Sequence, residues 1–373
     1  SCPYRIDATL RAQGLRSGFD DCWTSLTGLP EAELQEELVV DMGRLDVSSL
    51  VAAGHYKLSQ VDERWIKRKS DGKPGLSDSE RKWLRIEKLA AGDKTSYFDR
   101  DAYAEEAAGW TYPLHMIDFE TMAAAVPFHS GHRPYEQIAF QFSHHQIEAD
   151  GRINHRTQYL ACRPGDNPNL DFLRALRRAL SQDEGTIFRY AAHENTILCT
   201  LIRQIDDMQN RPPDAAELCD WVRGITHAPL DAAQSWEGKR DMVDMLRLVK
   251  RYDYHPATRG SNSIKYVLPA VLADSAYLQR KYSRPIYGGA HDLQSHNFAA
   301  WRWIDYDARG ELKNPYKLLP PLYDASDSRV VDYLFGDDEI REGGAASTAY
   351  ARLQFTQMSP PERAAIEAGL LKY

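Results

Sequence analysis

Asp118 and Glu120 stand two residues apart at the end of an apolar run that begins at Leu114. In an extended strand, residues i and i+2 share a face, so the two acids would project side by side with Phe119 turned away. Neighbouring carboxylates at a buried strand end repel one another and resist desolvation. A divalent cation offsets that cost, and Mg²⁺ and Mn²⁺ favour such oxygen ligands. Glu194 is a third acid, at the junction of a short strand, Thr186–Tyr190, and a helix from about Glu194 to Met208. From there its side chain can reach the end of a neighbouring strand. Each acid also has an ordinary reading. Asp118 and Glu120 suit a surface or a turn, and Glu194 suits the favourable end of a helix dipole. Together they fit phosphodiester hydrolysis with two Mg²⁺ or Mn²⁺, one ion activating water and the other stabilising the leaving oxygen. Asp118 would bridge the ions, with Glu120 and Glu194 on either side.

The elements that must position these acids follow from periodicity. A second strand, Glu136–His145, alternates with Ile138, Phe140 and Phe142 on one face, and a third, Ile153–Leu160, follows the turn Ala149-Asp150-Gly151-Arg152. A helix over Leu170–Leu180 carries Leu173, Leu176 and Leu180 along one side. Hairpin-linked strands, a helix, a strand and a helix, in that order, predict an α/β fold of the RNase H-like type: a mixed sheet flanked by helices. This domain is expected over 111–373, with insertions near 209–240 (polar) and 273–343 (aromatic-rich). Residues 1–110 read as a mainly helical region. There, Leu45–Ala53 and Leu58–Ile66 suggest two short helices around Gly54, and Ser77 with Glu80 forms a capping box for a helix to about Ala91. Arg81, Arg85 and Lys88 share a face of that helix, either solvated or turned toward phosphates. A short helix at Ile264–Leu268 should end or kink at Pro269, and a last helix, Pro360–Tyr373, starts at Ser359 with Ile366, Leu370 and Leu371 apolar.

Composition places limits on function. At 373 residues, 43% hydrophobic and 27% charged, the chain reads as an ordinary globular protein. No apolar run has membrane-spanning length and no signal peptide opens it, so no membrane partner is expected. A net charge of −8 argues against binding a polyanion by bulk charge, while leaving room for a local basic face. Five cysteines without a C-x-x-C pair suit a reducing, cytoplasmic location. The first residue is Ser1 and the last helix runs to Tyr373 without a stop signal, which predicts a fragment of a longer protein.

The acids resemble those of the DEDD exonuclease superfamily, which contains the polymerase proofreading domains. More closely, YPLHMIDFET (112–121), RPYEQIAFQFSHH (133–145), GTIFRYAAHENTIL (185–198) and MVDMLRLVKRYDYHP (242–256) resemble the bacterial domain-of-unknown-function 2779 family. That resemblance implies a DnaQ-like exonuclease domain, DNA or RNA as partner, and a further RecB-like nuclease module in the full-length protein. It makes Asp118 and Glu120 the first motif and Glu194 the second, with Glu where proofreading domains usually carry Asp. Tyr373 would be the tyrosine of the last motif, and a fourth metal ligand would follow it. Cys2 and Cys22 resemble survivors of that family's cysteine cluster. Two thiolates alone cannot close a four-ligand iron–sulfur site, so a cluster is expected only in a longer protein. Around the acids, Phe128, His129 and Tyr135 are candidates to hold a terminal nucleotide, and Arg259 and Lys265 to contact phosphates. His193 and Asp244 are expected to support the site from behind. The competing expectation is the same fold binding nucleic acid or a protein without cutting.

Overall fold

The computed structural model describes residues 2, 4–6, 8–129, 131–229, 234–285, 295, 300–319 and 343–372. Two compact units emerge: residues 1–108 with 246–274, and residues 109–245 with 275–373. The sequence reading assigned 246–274 to the sheet domain; this excursion packs instead with the N-terminal helices.

The first unit opens with α1 (Ala8–Ala12), α2 (Gly18–Thr27), α3 (Val47–Ala52), α4 (Asp78–Ala91), β1 (Tyr97–Phe98) and α5 (Arg100–Ala107). Helix α4 starts where the sequence placed it. The Ser77 hydroxyl accepts from the Glu80 N–H, the Glu80 carboxylate accepts from the Ser77 N–H, and Gly92 ends the helix at φ 63°. Trp83 and Ile86 bury against Val39, Leu50 and Leu58. The helix expected over Leu58–Ile66 is only a 3₁₀ turn at Leu58–Gln60. Asp62 accepts from the Arg64 N–H at 3.0 Å, a local bond that competes with helix propagation. Arg85 and Lys88 of α4 are buried and do not belong to a solvated face. Arg85 pairs with Glu37, Lys88 with Asp93, and Arg81 donates to the Val249 carbonyl and to Asn262.

The second unit is built on β2 (Leu114–Ala123), β3 (Gln137–Ile147), β4 (Ile153–Leu160), α6 (Asn169–Leu180), β5 (Ile187–Arg189), α7 (His193–Asp207), α8 (Ala215–Ile225), β6 (His227–Ala228), β7 (Trp236–Glu237) and β8 (Val243–Asp244). The order in its five-stranded sheet is β4-β3-β2-β5-β8. Strand β3 runs antiparallel to both neighbours, whereas β5 is parallel to β2 and β8 to β5. On one face Ile117, Phe119 and Phe142 meet α6, α7 and α8, with Phe172 packed edge-on to Phe119 at 5.0 Å and to Phe142 at 5.4 Å. Helix α8 lies inside the expected polar insertion near 209–240. Its Ala215, Leu218, Cys219, Val222 and Ile225 are core residues at helical spacing.

The chain continues through α9 (Met245–Tyr252), β9 (Asp253–Tyr254), α10 (Ile264–Asp274) and α11 (Ala276–Tyr282), and later through α12 (Gly343–Phe355) and α13 (Pro360–Lys372). Helix α10 passes Pro269 and continues to Asp274, its Val267, Ala270 and Leu272 buried on both sides of the proline. Helices α12 and α13 cover the other face of the sheet. There Ile138 and Phe140 meet Tyr350, Leu353, Ile366 and Leu370, and Phe140 stacks on Tyr350 with centroids 4.2 Å apart. Leu371, expected on the apolar side, is exposed. Residues 320–342 of the expected aromatic insertion lie outside the described residues. Among the described residues no helix is long and apolar enough to cross a membrane.

A buried polar chain links the first strands. His115 Nε2 lies 2.8 Å from Asp183 Oδ1 and its Nδ1 2.9 Å from His144 Nε2, while His144 Nδ1 is 2.9 Å from Thr157 Oγ1. Burial, with His115 and His145 nearby, drives the His144 pKa down to about 3. An unfolded histidine titrates near 6.5, so between these values the unfolded chain binds more protons than the folded one. The contribution of His144 is therefore present above about pH 6.5 and lost as pH falls toward 3, with a limiting slope of about 1.4 kcal/mol per pH unit. Urea unfolding over this range should show a shallower acid loss for His144→Gln than for the natural chain; identical slopes would place the proton uptake elsewhere.

Candidate functional site

The sheet delivers the acids through two local irregularities. Glu120 pairs with Gln141 and Thr121 with Ala139, so Phe140 is an extra residue in β3. This bulge keeps Ile138 and Phe140 on the α12–α13 face and turns Phe142 to the opposite face, correcting the expectation that all three share one side. Asp118 and Glu120 face the α12–α13 side, opposite Ser143 and Gln141 across the pair. The bulge is covered by those helices: Ser347 donates to the Thr121 carbonyl at 2.9 Å, and Gln141 Nε2 donates to the Leu370 carbonyl. The C-terminal turn of α13 therefore lies beside the residue that faces Glu120.

The second irregularity follows β5. Because β5 is parallel to β2, with Met116 level with Phe188, its C-terminal turn opens at the same end of the sheet as the acids. Ala191 takes φ 70° there, a left-handed conformation that a non-glycine residue adopts only under external support. Asp244 accepts from the Ala191 N–H at 3.0 Å, and the buried Arg189 donates to the Ala191 carbonyl and lies 3.4 Å from Asp244. Asp244 thus holds the turn that precedes Glu194.

Glu194 is buried, and its Oε2 has no hydrogen-bond partner among the described residues. Burial and the nearby Asp118 push its pKa up to about 7, partly countered by Arg189. Glu120 is pushed up to about 8 by burial, then by Asp118 and Glu194. Asp118 is exposed at its surface, yet the surrounding protein still raises its pKa. The acids therefore occupy one electrostatic neighbourhood, while Arg189 is engaged with Asp244 and Ala191. Among the described residues no group of three or more His, Cys, Asp or Glu is gathered closely enough to hold a metal ion. The chemistry of the donors does suit one: hard oxygens, an orphaned buried carboxylate oxygen, and like charges that a cation would relieve.

The other expected residues divide sharply. His193 is exposed, its Nε2 3.4 Å from Thr121 Oγ1, and burial lowers its pKa while Asp118 opposes the shift. Phe128 packs against Tyr350 and Phe355, and His129 is buried with Nδ1 3.3 Å from the Gly165 carbonyl. Neither ring is presented to a nucleotide. Tyr135 is 68% exposed and does present its ring to solvent, on a backbone at φ 61°. Arg259 and Lys265 belong to the first unit, where Arg259 donates to the Gln35 carbonyl at 3.1 Å. Cys2 and Cys22 are free thiols, and Tyr373 lies outside the described residues.

Two residues near the acids escaped the sequence reading. Arg189 looked like an ordinary strand residue between Phe188 and Tyr190. Tyr316 sits in a 3₁₀ turn, Pro315–Leu318, opened by Asn314, whose Oδ1 accepts from the Tyr316 N–H at 3.0 Å. Burial raises the Tyr316 pKa and the Asp118 charge adds to it, which places the phenol within the field of that acid. The Asn-Pro start of the turn was readable; its proximity to Asp118 was not.

The second unit is thus a mixed α/β sheet in which β2 carries Asp118 and Glu120 and the turn after β5 leads to Glu194. Residues 115–263 match the family described as Domain of unknown function (DUF2779). No curated protein and no solved structure matches the chain.

Acids whose folded pKa lies above the unfolded value make the metal-free protein less stable as pH rises from about 4.5 to about 8, because the folded state then gives up protons it had retained. Melting temperature measured across this range in chelator should fall more steeply for the natural chain than for Glu120→Gln, and Mn²⁺ should restore the natural chain selectively. Superimposable profiles would show that Glu120 does not carry the strain.

Proposed function

We propose that this chain is a metal-dependent nuclease of RNase H-like fold, acting as a 3′–5′ exonuclease on DNA or RNA. The observation that carries the reading is the convergence of Asp118, Glu120 and Glu194, each with a raised pKa, on one end of the sheet. The strand order, with an antiparallel hairpin pair on one side of β2 and parallel strands on the other, supports it.

Asp118, Glu120 and Glu194 would hold two divalent cations, which when bound supply water activation and neutralisation of charge on the leaving oxygen. The residues' own part is positional and electrostatic. Asp244 and Arg189 hold Glu194 in place, the Phe140 bulge orients Glu120, and deprotonation of the raised carboxyls creates the negative field that draws a cation. Tyr135 offers an exposed ring for base stacking. Tyr316, half-buried in the field of Asp118, is placed to donate a hydrogen bond to a substrate oxygen.

A second reading, an RNase H-like scaffold that binds without cutting, is favoured by the absence of a gathered ligand set among the described residues. Incubation of 5′-labelled single-stranded DNA or RNA with Mn²⁺ separates the two. The nuclease reading predicts a ladder shortening from the 3′ end, reduced more than about 100-fold in Asp118→Asn, beyond what an outer-shell change costs. Retention of intact strands that nevertheless bind the folded protein would favour the scaffold, and cleavage of closed circles would point to an endonuclease.

A further inference from the structure

Behind the helix that carries Glu194 lies a cavity that the acids do not use. It has a volume of about 520 Å³ and is walled by α7, α8 and the β6–β7 hairpin. That is within the range of small-molecule sites, about 300–1,000 Å³. Glu194 does not line it, although the adjacent Asn195 does. Asn195 exchanges two hydrogen bonds with the His227 backbone, both 3.0 Å, and so fixes the hairpin against the first turn of α7.

The lining combines apolar walls with polar groups that retain bonding capacity. Ile202, Ala228, Pro229 and Trp236 supply the apolar part. The Trp236 N–H is engaged with Thr226 Oγ1 at 3.2 Å, leaving ring surface for contact. Arg203 is exposed and, among the described residues, bonds only to Thr200 Oγ1, so most of its guanidinium donors are unused. His227 is held through Nδ1 by Asp241 at 2.9 Å, and its Nε2 has no partner among the described residues. A fixed imidazole, a guanidinium with open donors and an indole in one small cavity suit a flat ring bearing an anionic group.

We propose that this cavity is a binding site for a small planar anion of mononucleotide size, with Arg203 meeting the anionic group, His227 Nε2 accepting from an amino or hydroxyl group of the ligand, and Trp236 contacting the ring. The assignment rests on the cavity alone and stands or falls separately from the nuclease reading. Its size and chemistry make adenosine 5′-monophosphate a suitable probe, with adenosine and inorganic phosphate as the two half-ligands.

Calorimetric titration of the 373-residue chain in chelator tests it. The monophosphate should bind saturably, each half-ligand more weakly, and Arg203→Ala should weaken monophosphate binding about tenfold or more, as expected for loss of a charge-assisted contact. His227→Gln should weaken it as well. Arg203 is exposed, and an unchanged ligand-free melting temperature would confirm that its variant folds. No heat up to about 5 mM, where a millimolar site would be well filled, overturns the proposal. So does binding that survives Arg203→Ala but is lost in Glu194→Gln, since the ligand would then lie at the acids.

Discussion

Like charge confined at one end of a sheet is the constraint on which the second unit turns. Asp118 and Glu120 lie on β2 and Glu194 at the start of α7; Glu120 feels the charges of Asp118 and Glu194, and Glu194 that of Asp118. Burial is the largest cause of the upward shifts of Glu120 and Glu194, while Asp118 beside them keeps exposed surface. Such an arrangement costs stability in the absence of a cation. The nearby guanidinium of Arg189 is tied to Asp244 and the Ala191 carbonyl. The site thus retains protons at neutral pH that isolated carboxyls would have released.

Much of the surrounding architecture maintains this confinement. Parallel pairing of β5 with β2 brings the start of α7 to the acidic end, and Asp244 on β8 stabilises the left-handed turn at Ala191. The Phe140 bulge separates two cores, sending Phe142 toward α6 and α7 while keeping Phe140 under Tyr350. Helices α12 and α13 then close over the acid-bearing face through Ser347 and Leu370. Local strain in the chain is supported by long-range bonds, a common pattern at functional sites.

Local signals were legible in the sequence, and long-range ones were not. Alternation and helical spacing identified β2, β3, β4, α6 and α7 within a few residues, and the Ser77–Glu80 box located α4. The i, i+2 relation of Asp118 and Glu120, and Glu194 at a strand–helix junction, were visible because they depend only on neighbours. Helix α8 was hidden by Pro212 and Pro213 before it, Trp221 within it and Trp236 after it, although Leu218, Val222 and Ile225 keep helical spacing. The bulge left no trace, since Ile138, Phe140 and Phe142 alternate perfectly in sequence. Phe128 looked available because its packing against Tyr350 and Phe355 of α12, more than two hundred residues later, cannot be read locally. Arg85 and Lys88 looked solvated for the same reason, their carboxylate partners lying outside α4.

The central claim is that raised carboxyls form a cation site. Titration of Mn²⁺ at pH 7, repeated in two buffers of different ionisation enthalpy, counts the protons released on binding. With Glu120 near 8 and Glu194 near 7, the account predicts release of roughly one to two protons per binding event. Binding without proton release, or no binding by the folded chain, would contradict it.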